Sequence, residues 1–494
     1  MKRYVPNALL TFSLLLTIFS YSLNAQKGKV ATTNIEIEAF LERVIEKFDI
    51  PGLSIAVVQD GELFYAGAFG FRNLETKDKM TTASLFHMAS VSKPFVATAI
   101  MQLAEQGKIE LDAKITNYLP YFVLEDERYK EMTILQMLNH TSGMPDVLDY
   151  EWDKPQTDVG AAERYVRSLT DEILIYDPGT DWQYSNMAFD ALGDVIAKVS
   201  GMPFEDYVKK NIFEPLGMVN SNFLYPETDQ NLRTSPHVWN GQPIVNEVYP
   251  YNRRHAPSST LNSSVLELTH WAMANLGHGE WNGNRILKKE SYDKLWQPSH
   301  KLEDAPTIGL SWFLDKHRGL KTISHSGGDT GYSSYLGLIP ERNMGIMIAS
   351  NYDFSPVGAI YYGVLDILLG HNAKVPKQNI AIPFAEKLMS EGLEAAKSLY
   401  HDLEKNNKKE YQFDDGQLNR LGYFLMENKQ LESAIAVLRF NTELYPKVAN
   451  CYDSLGEAYM LAGNKELAIE NYSKVLELDP KQENAQQMLH KLRK

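Results

Sequence analysis

Ser90-Val91-Ser92-Lys93 sets a hydroxyl and an amine three residues apart. On a helix, residues i and i+3 share one face, so the two side chains can converge. A serine hydroxyl is a weak nucleophile until a nearby base takes its proton. A lysine does that only when desolvation or neighbouring cations bring its titration down. Pro94 fits a helix that begins near Ser90, because the first turn needs no intrahelical N–H donors. One turn therefore offers a nucleophile and a candidate base. The S-x-x-K pattern is common by chance, so its weight depends on partners elsewhere in the chain.

Three later phrases carry polar groups of the right kinds. Tyr184-Ser185-Asn186 comes after Asp177-Pro178-Gly179 and precedes an apolar run from Met187 to Val199. A phenol is a proton acceptor where cations lower its pKa, and the Asn186 amide can orient a carbonyl or a lysine. His325-Ser326-Gly327-Gly328 ends a strand-like run. Glycine there lets backbone approach a substrate closely and lets N–H groups bind an oxyanion. The turn from Leu138 to Pro145 holds His140, whose ordinary role would be a hydrogen-bonded structural one. Taken singly, each phrase is better explained as local structure.

The elements that must position these groups are legible in outline. Residues 34–48 carry apolar side chains at helical spacing, and Pro51-Gly52 stops the run. Leu53 to Val58 reads as a strand, Asp60-Gly61 as a tight turn and Leu63 to Phe69 as the returning strand. Phe95 to Gln106 reads as a buried, Ala-rich helix. Gly309 to Leu314, Lys321 to His325, Tyr332 to Leu338 and Met344 to Ser350 are short β-type runs, and Pro356 to Leu369 is helical. Strands at both ends with helices between them predict an α/β unit, in which helices flank one antiparallel sheet built from distant parts of the chain.

In this order, the phrases resemble the serine β-lactamase and penicillin-binding-protein superfamily, and most of all its class C β-lactamase-like branch of esterases, D-aminopeptidases and D,D-carboxypeptidases. The likeness runs from about Glu36 to Leu369 and rests on Phe86 to Phe95, Leu138 to Pro145, Tyr184 to Leu192, Pro257 to Leu268, and His325 through Pro340-Glu341-Arg342. It implies an antiparallel sheet flanked by helices, with a helical subdomain. It implies Ser90 as the acyl-accepting nucleophile, with Lys93 and Tyr184 sharing the proton work in a division left open. Asn186 would hold the substrate amide or the lysine, and the N–H groups of Ser90 and Gly328, beside Gly327, would form the oxyanion hole. The family's third motif often begins with lysine, suited to a substrate carboxylate. Here His325 stands in its place and is mostly neutral near pH 7 unless perturbed. That shifts the expected substrate from β-lactams toward esters and D-amino-acid peptides or amides. The implied chemistry uses no metal or organic cofactor. The competing reading is a non-catalytic ligand-binding or sensor protein on the same scaffold.

At 494 residues the chain exceeds one ordinary domain. A formal charge of -14 argues against nucleic acid as a partner. Lys2 and Arg3 precede an apolar run from about Ala8 to Phe19, and Leu23-Asn24-Ala25 ends in a small residue. Residues 1–25 thus read as a secretory signal peptide, with an uncleaved anchor as the alternative. No other segment is long and apolar enough to span a bilayer. The single Cys451 excludes intramolecular disulfides and thiolate-rich metal sites. Export without disulfides predicts a bacterial periplasmic or secreted protein.

Residues 34–370 form the predicted hydrolase domain, and the polar, aperiodic stretch 371–383 reads as a linker. In 384–494, Leu421-Gly422 recurs as Leu455-Gly456, Ala434-Ile435 as Ala468-Ile469, and Pro446 as Pro480, each 34 residues on. That period resembles the tetratricopeptide repeat, a helix–turn–helix unit. The predicted all-α tail is a candidate docking surface for a protein or peptide, with a structural appendage or self-association module as the alternative.

Overall fold

The computed structural model describes residues 30–300, 306–427, 429–480 and 482–493, so the signal-peptide expectation for residues 1–25 lies outside the described residues. Among the described residues, no helix is long and apolar enough to cross a membrane.

Eight strands form one antiparallel sheet. Its order is Thr307–Ile308, Phe313–His317, Leu320–Asp329, Tyr332–Ile339, Met344–Ser350, Gly52–Gln59, Glu62–Asn73 and Asp78–Lys79. The early strand Gly52–Gln59 thus lies beside the late strand Met344–Ser350, in a register that runs from Leu53 opposite Ser350 to Gln59 opposite Met344. Side chains alternate between faces with a period of two, so a strand covered on both faces is apolar throughout. Ala56, Val58, Met347 and Ala349 enter one core with Phe86, Phe95 and Trp271. Leu53, Ile55, Val57, Ile346 and Ile348 enter the other with Phe40, Val44 and Ile360.

The second core is closed by a helix over residues 30–47 and by the helix Val357–Leu368. They meet closely at Gly363, where a Cβ would lie 2.3 Å from the Phe40 ring. The first core is threaded by the helix Lys93–Glu105, buried from Lys93 through Leu103, with Phe95 stacked on Trp271 at 4.0 Å between ring centroids. A helix buried all round needs small side chains on some faces, which explains its alanines.

One expected strand is divided. Gly309 to Leu314 reads in the sequence as a single run, but Thr307–Ile308 and Phe313–His317 are separate strands joined by a turn. Ser311 adopts φ 66° there and donates its N–H to Leu138 O at 2.8 Å. That tie to the end of the helix Ile134–Leu138, remote in sequence, outcompetes continuation of the ladder.

The segment 371–383 is structured in part. Gln378–Asn379 pairs in parallel with Tyr411–Gln412, Gln378 Nε2 donates to Lys47 O at 2.7 Å, and Ile380 is fully buried. Among the described residues, seven helices follow, from Ala381–Glu391 to Glu483–Arg493. Within the repeats, Gly422 and Gly456 lie where helices approach: a Cβ at Gly422 would be 2.4 Å from Leu438, and one at Gly456 3.3 Å from Tyr472. The first helices of this tail share an apolar core with Trp239 and Tyr352 of the sheet domain, through Ile380, Phe384, Leu418 and Leu421. Trp239 is buried in that packing.

Candidate active site

Ser90 lies in a 3₁₀ turn, Ala89–Ser92, that runs directly into the α-helix starting at Lys93. Ala89 adopts φ 47°, a left-handed conformation costly for a residue with a Cβ. Its surroundings hold it there. Met88 N–H donates to Leu261 O at 2.7 Å, Ser334 Oγ donates to Met88 O at 2.7 Å, and Leu261 N–H donates to Ser92 Oγ at 3.0 Å. The strand Leu320–Asp329 runs against this turn. A Cβ on Gly327 would lie 2.2 Å from Met88 O, so only glycine fits without displacement. Gly328 is exposed, with open space where its Cβ would be. The pairing with Phe313–His317 ends at Ser324, so no ladder with that neighbour covers His325 to Asp329.

Lys93 is fully buried and donates to three acceptors: Ser90 Oγ at 2.9 Å, Asn186 Oδ1 at 2.5 Å and Ser258 O at 2.7 Å. Burial lowers its pKa to about 8, although Asp146, Asp190 and Asp329 pull the other way. The three bonds match the three N–H groups of an ammonium. A neutral amine has two, enough for Asn186 and Ser258, and a lone pair left for the Ser90 hydroxyl.

Asn186 caps this arrangement from the first turn of the helix Asn186–Ser200. Its backbone N–H and its Nδ2 donate to Asp146 Oδ1 at 2.8 and 2.9 Å. The carboxylate accepts only, so it fixes the amide with Oδ1 toward Lys93. Four residues on, the same helix face presents Asp190. Asp190 binds His255 Nδ1 at 2.7 Å and accepts from Ser258 N at 3.2 Å, which sets the Ser258 carbonyl under Lys93.

Tyr184 stands beside Ser90, and its ring centroid lies 4.9 Å from Lys93 Nζ. Burial raises the phenol above its ordinary value. Nearby Ser90 lowers it in part, and Asp146 and Asp329 raise it further. The sequence expectation of a phenol lowered by cations is therefore reversed, by burial first and by the nearby carboxylates after it. His140 stacks on Tyr184 at 4.3 Å and accepts from Ser185 N–H at 3.1 Å through Nδ1. This is the structural role expected of it. His325 is buried, with Nδ1 2.6 Å from Ser326 O, and burial and the Lys93 charge push its pKa down to about 3. It is a neutral group at this site, not a cation.

Ser90, Lys93, Tyr184 and Asn186 thus converge, with Gly327 against the nucleophile's turn and His325 at the Tyr184 side, 6.5 Å between ring centroids. Sequence reasoning missed the roles of Asp146, Asp190, Ser258 and Asp329. The i, i+4 spacing of Asn186 and Asp190 was the available signal for one of them. Among the described residues, no cluster of His, Cys, Asp and Glu could hold a metal ion.

The β-lactamase family model matches residues 37–368, well over half of the chain. The chain belongs to the β-lactamase family. A tetratricopeptide repeat model matches residues 449–482. Among curated members, Protein flp of Staphylococcus aureus is 28% identical over 331 residues, 64% of this chain. The chain spans about 62% of that relative's length. Penicillin-binding protein 4* of Bacillus subtilis is 29% identical over 69% of this chain and 77% of its own. The solved structure of the octameric penicillin-binding protein homologue from Pyrococcus abyssi superposes with a TM-score of 0.63 at 28% identity, covering 72% of this chain and 80% of that one. EstCE1, a hydrolase with promiscuous acyltransferase activity, shares the β-lactamase-family fold at TM-score 0.58 and 20% identity, over 70% of this chain and 99% of its own.

Proposed function

We propose that this β-lactamase-family protein is an exported serine hydrolase that works through an acyl-enzyme on Ser90, on esters or on peptides and amides of D-amino-acid character. The observation that carries the reading is the hydrogen bond from buried Lys93 to Ser90 Oγ at 2.9 Å, with the Tyr184 ring 4.9 Å from the same amine. Neutral Lys93 takes the Ser90 proton as Oγ bonds to the substrate acyl carbon. The carbonyl oxygen gains charge and is held by the N–H groups of Ser90 and Gly328. Collapse breaks the bond to the leaving group, which receives a proton through Tyr184. Tyr184 is replenished from Lys93. Water then attacks the ester in the same sense and frees Ser90. Export is supported by the Lys2, Arg3 and Ala8 to Phe19 pattern. The helical repeats are a candidate surface for a protein partner.

The test is turnover of p-nitrophenyl esters, a D-Ala-D-Ala peptide and nitrocefin by the purified chain. Ser90→Ala should lower kcat by about 10³ or more on any substrate that is turned over. Undiminished activity in that variant contradicts the reading.

A further inference from the structure

Behind Lys93 a second chain of hydrogen bonds runs outward, away from the Ser90 hydroxyl. Asp190 is its hub. One carboxylate oxygen, Oδ2, binds His255 Nδ1 at 2.7 Å, and the other, Oδ1, accepts from Ser258 N–H at 3.2 Å. His255 and Ser258 stand three residues apart, and His255 directly precedes the helix Ala256–Ser259. A helix of four residues has no run of internal hydrogen bonds to hold it. The carboxylate therefore clasps the turn from His255 to Ser258. The helix Asn186–Ser200 packs on its middle, where a Cβ on Gly193 would lie 2.0 Å from Pro257. The carbonyl that leaves this turn, Ser258 O, accepts from Lys93 at 2.7 Å.

The tautomer of His255 follows from its other nitrogen. Arg254 Nε donates to His255 Nε2 at 2.9 Å. A guanidinium has donors only, so Nε2 accepts and the ring proton sits on Nδ1, where Asp190 receives it. Arg254 is held in turn by Glu151 at 2.7 Å. Glu151 adopts φ 48°, a costly conformation for a residue with a Cβ, and its carbonyl accepts from Asn252 Nδ2 at 3.3 Å. The rings of Tyr150, Tyr165 and Trp152 meet the buried imidazole edge-on, at 5.0, 4.7 and 6.0 Å between centroids.

The charges that face Lys93 are those of Asp146, Asp190 and Asp329, and all three favour its ammonium. The Lys93 charge acts in turn on His140 and His325. Of the three carboxylates, Asp190 is the one that His255 orients.

We propose that His255 is a positioning residue: locked as the Nδ1–H tautomer by Arg254 and Glu151, it orients Asp190, and Asp190 through Ser258 aims the Lys93 amine at Ser90. This rests on the reading of Lys93 as the base in acyl transfer. Glu151 shares a loop with Asp146, which fixes Asn186, so one loop reaches Lys93 from two sides.

The test follows kcat, KM and the pH dependence of p-nitrophenyl acetate hydrolysis by the full chain. His255→Ala should lower kcat at least about tenfold with KM little changed. His255→Asn should recover most of that loss, because the asparagine Nδ2 stands where the imidazole Nδ1 stood and donates to Asp190. Equal loss in both variants, or none in either, overturns the proposal. Asp190→Asn removes a charge that favours the Lys93 ammonium. The acid limb of kcat/KM should then move to lower pH, by about half a unit or more, and an unmoved limb overturns the proposal. Nitrogen NMR of the histidine-labelled chain needs no turnover and no alanine variant. It should show His255, assigned by its loss in His255→Asn, with Nδ1 protonated and Nε2 bare. The opposite tautomer, or a doubly protonated ring, overturns the proposal. A parent chain that is not acylated at Ser90 faults the acyl-transfer reading instead. A parent that is acylated, with variants that behave in the contrary ways named, faults only the role of His255.

Discussion

Asn186 turns its amide oxygen to Lys93 at 2.5 Å because Asp146 accepts from the other end of the same amide at 2.9 Å. The lysine is thereby aimed by a carboxylate that contacts neither the nucleophile nor, in the proposed mechanism, the substrate. Asp146→Ala would free the amide to rotate and leave its N–H groups unbonded in a buried site. Losing hydrogen bonds to a charged partner costs about 1.5–3 kcal/mol. We expect kcat to fall about 10- to 100-fold, with KM for a neutral ester little changed. Steady-state kinetics on p-nitrophenyl esters check this, and unchanged kcat would remove Asp146 from the positioning network.

The pH dependence is set by Lys93. Its pKa, lowered to about 8, means that the ammonium prevails below that value and the basic amine above it. If the neutral amine takes the Ser90 proton, kcat/KM rises with pH, about tenfold per unit below 8, and levels off above it. A kcat/KM profile on a non-ionising ester measures that limb. A flat profile from roughly pH 6 to 9 would contradict Lys93 as the base.

Gly327 and Gly328 are adjacent but not equivalent. Gly327→Ala places a Cβ 2.2 Å from Met88 O and 3.1 Å from the Ala89 Cβ, against the turn that presents Ser90. Overpacking of this kind costs about 1–3 kcal/mol. Thermal unfolding should show a lower Tm for Gly327→Ala and an unchanged one for Gly328→Ala, where the space is open.

Trp239 joins the sheet domain to the helical tail, with its ring 6.4 Å from Phe354 and 6.1 Å from Phe424. It is 3% exposed, and truncating a buried aromatic costs about 3–5 kcal/mol. Calorimetry should show Trp239→Ala separating one unfolding transition into two, with the tail melting first. A single transition in the variant would mean that the two units are not coupled through this core.

Periodicity and punctuation made much of the scaffold legible. The strands Tyr332–Ile339 and Met344–Ser350 and the helix Val357–Leu368 lie within a residue of where their apolar runs suggest. The 34-residue recurrence of Leu-Gly marked the repeats because small residues are needed where paired helices touch. Gly309 to Leu314 misled because its break depends on Leu138, remote in sequence. The network behind Ser90 was hidden for the same reason. Asp146, Asp190 and Ser258 act on Lys93 through bonds between residues 40 to 165 positions apart, and isolated aspartates carry no periodic signal. The titration of Tyr184 could not be read from its motif at all, since its direction is set by burial and by carboxylates that the fold brings in.

The most direct measurement is to trap the acyl-enzyme. The chain is mixed with p-nitrophenyl acetate, quenched in acid within the first turnovers, digested, and mapped by mass spectrometry. We expect an acetyl group on Ser90, absent from Ser90→Ala and accumulating with a burst of p-nitrophenol. Release of p-nitrophenol with no acyl group on Ser90, or with the acyl group on another residue, would contradict the Ser90 acyl-enzyme.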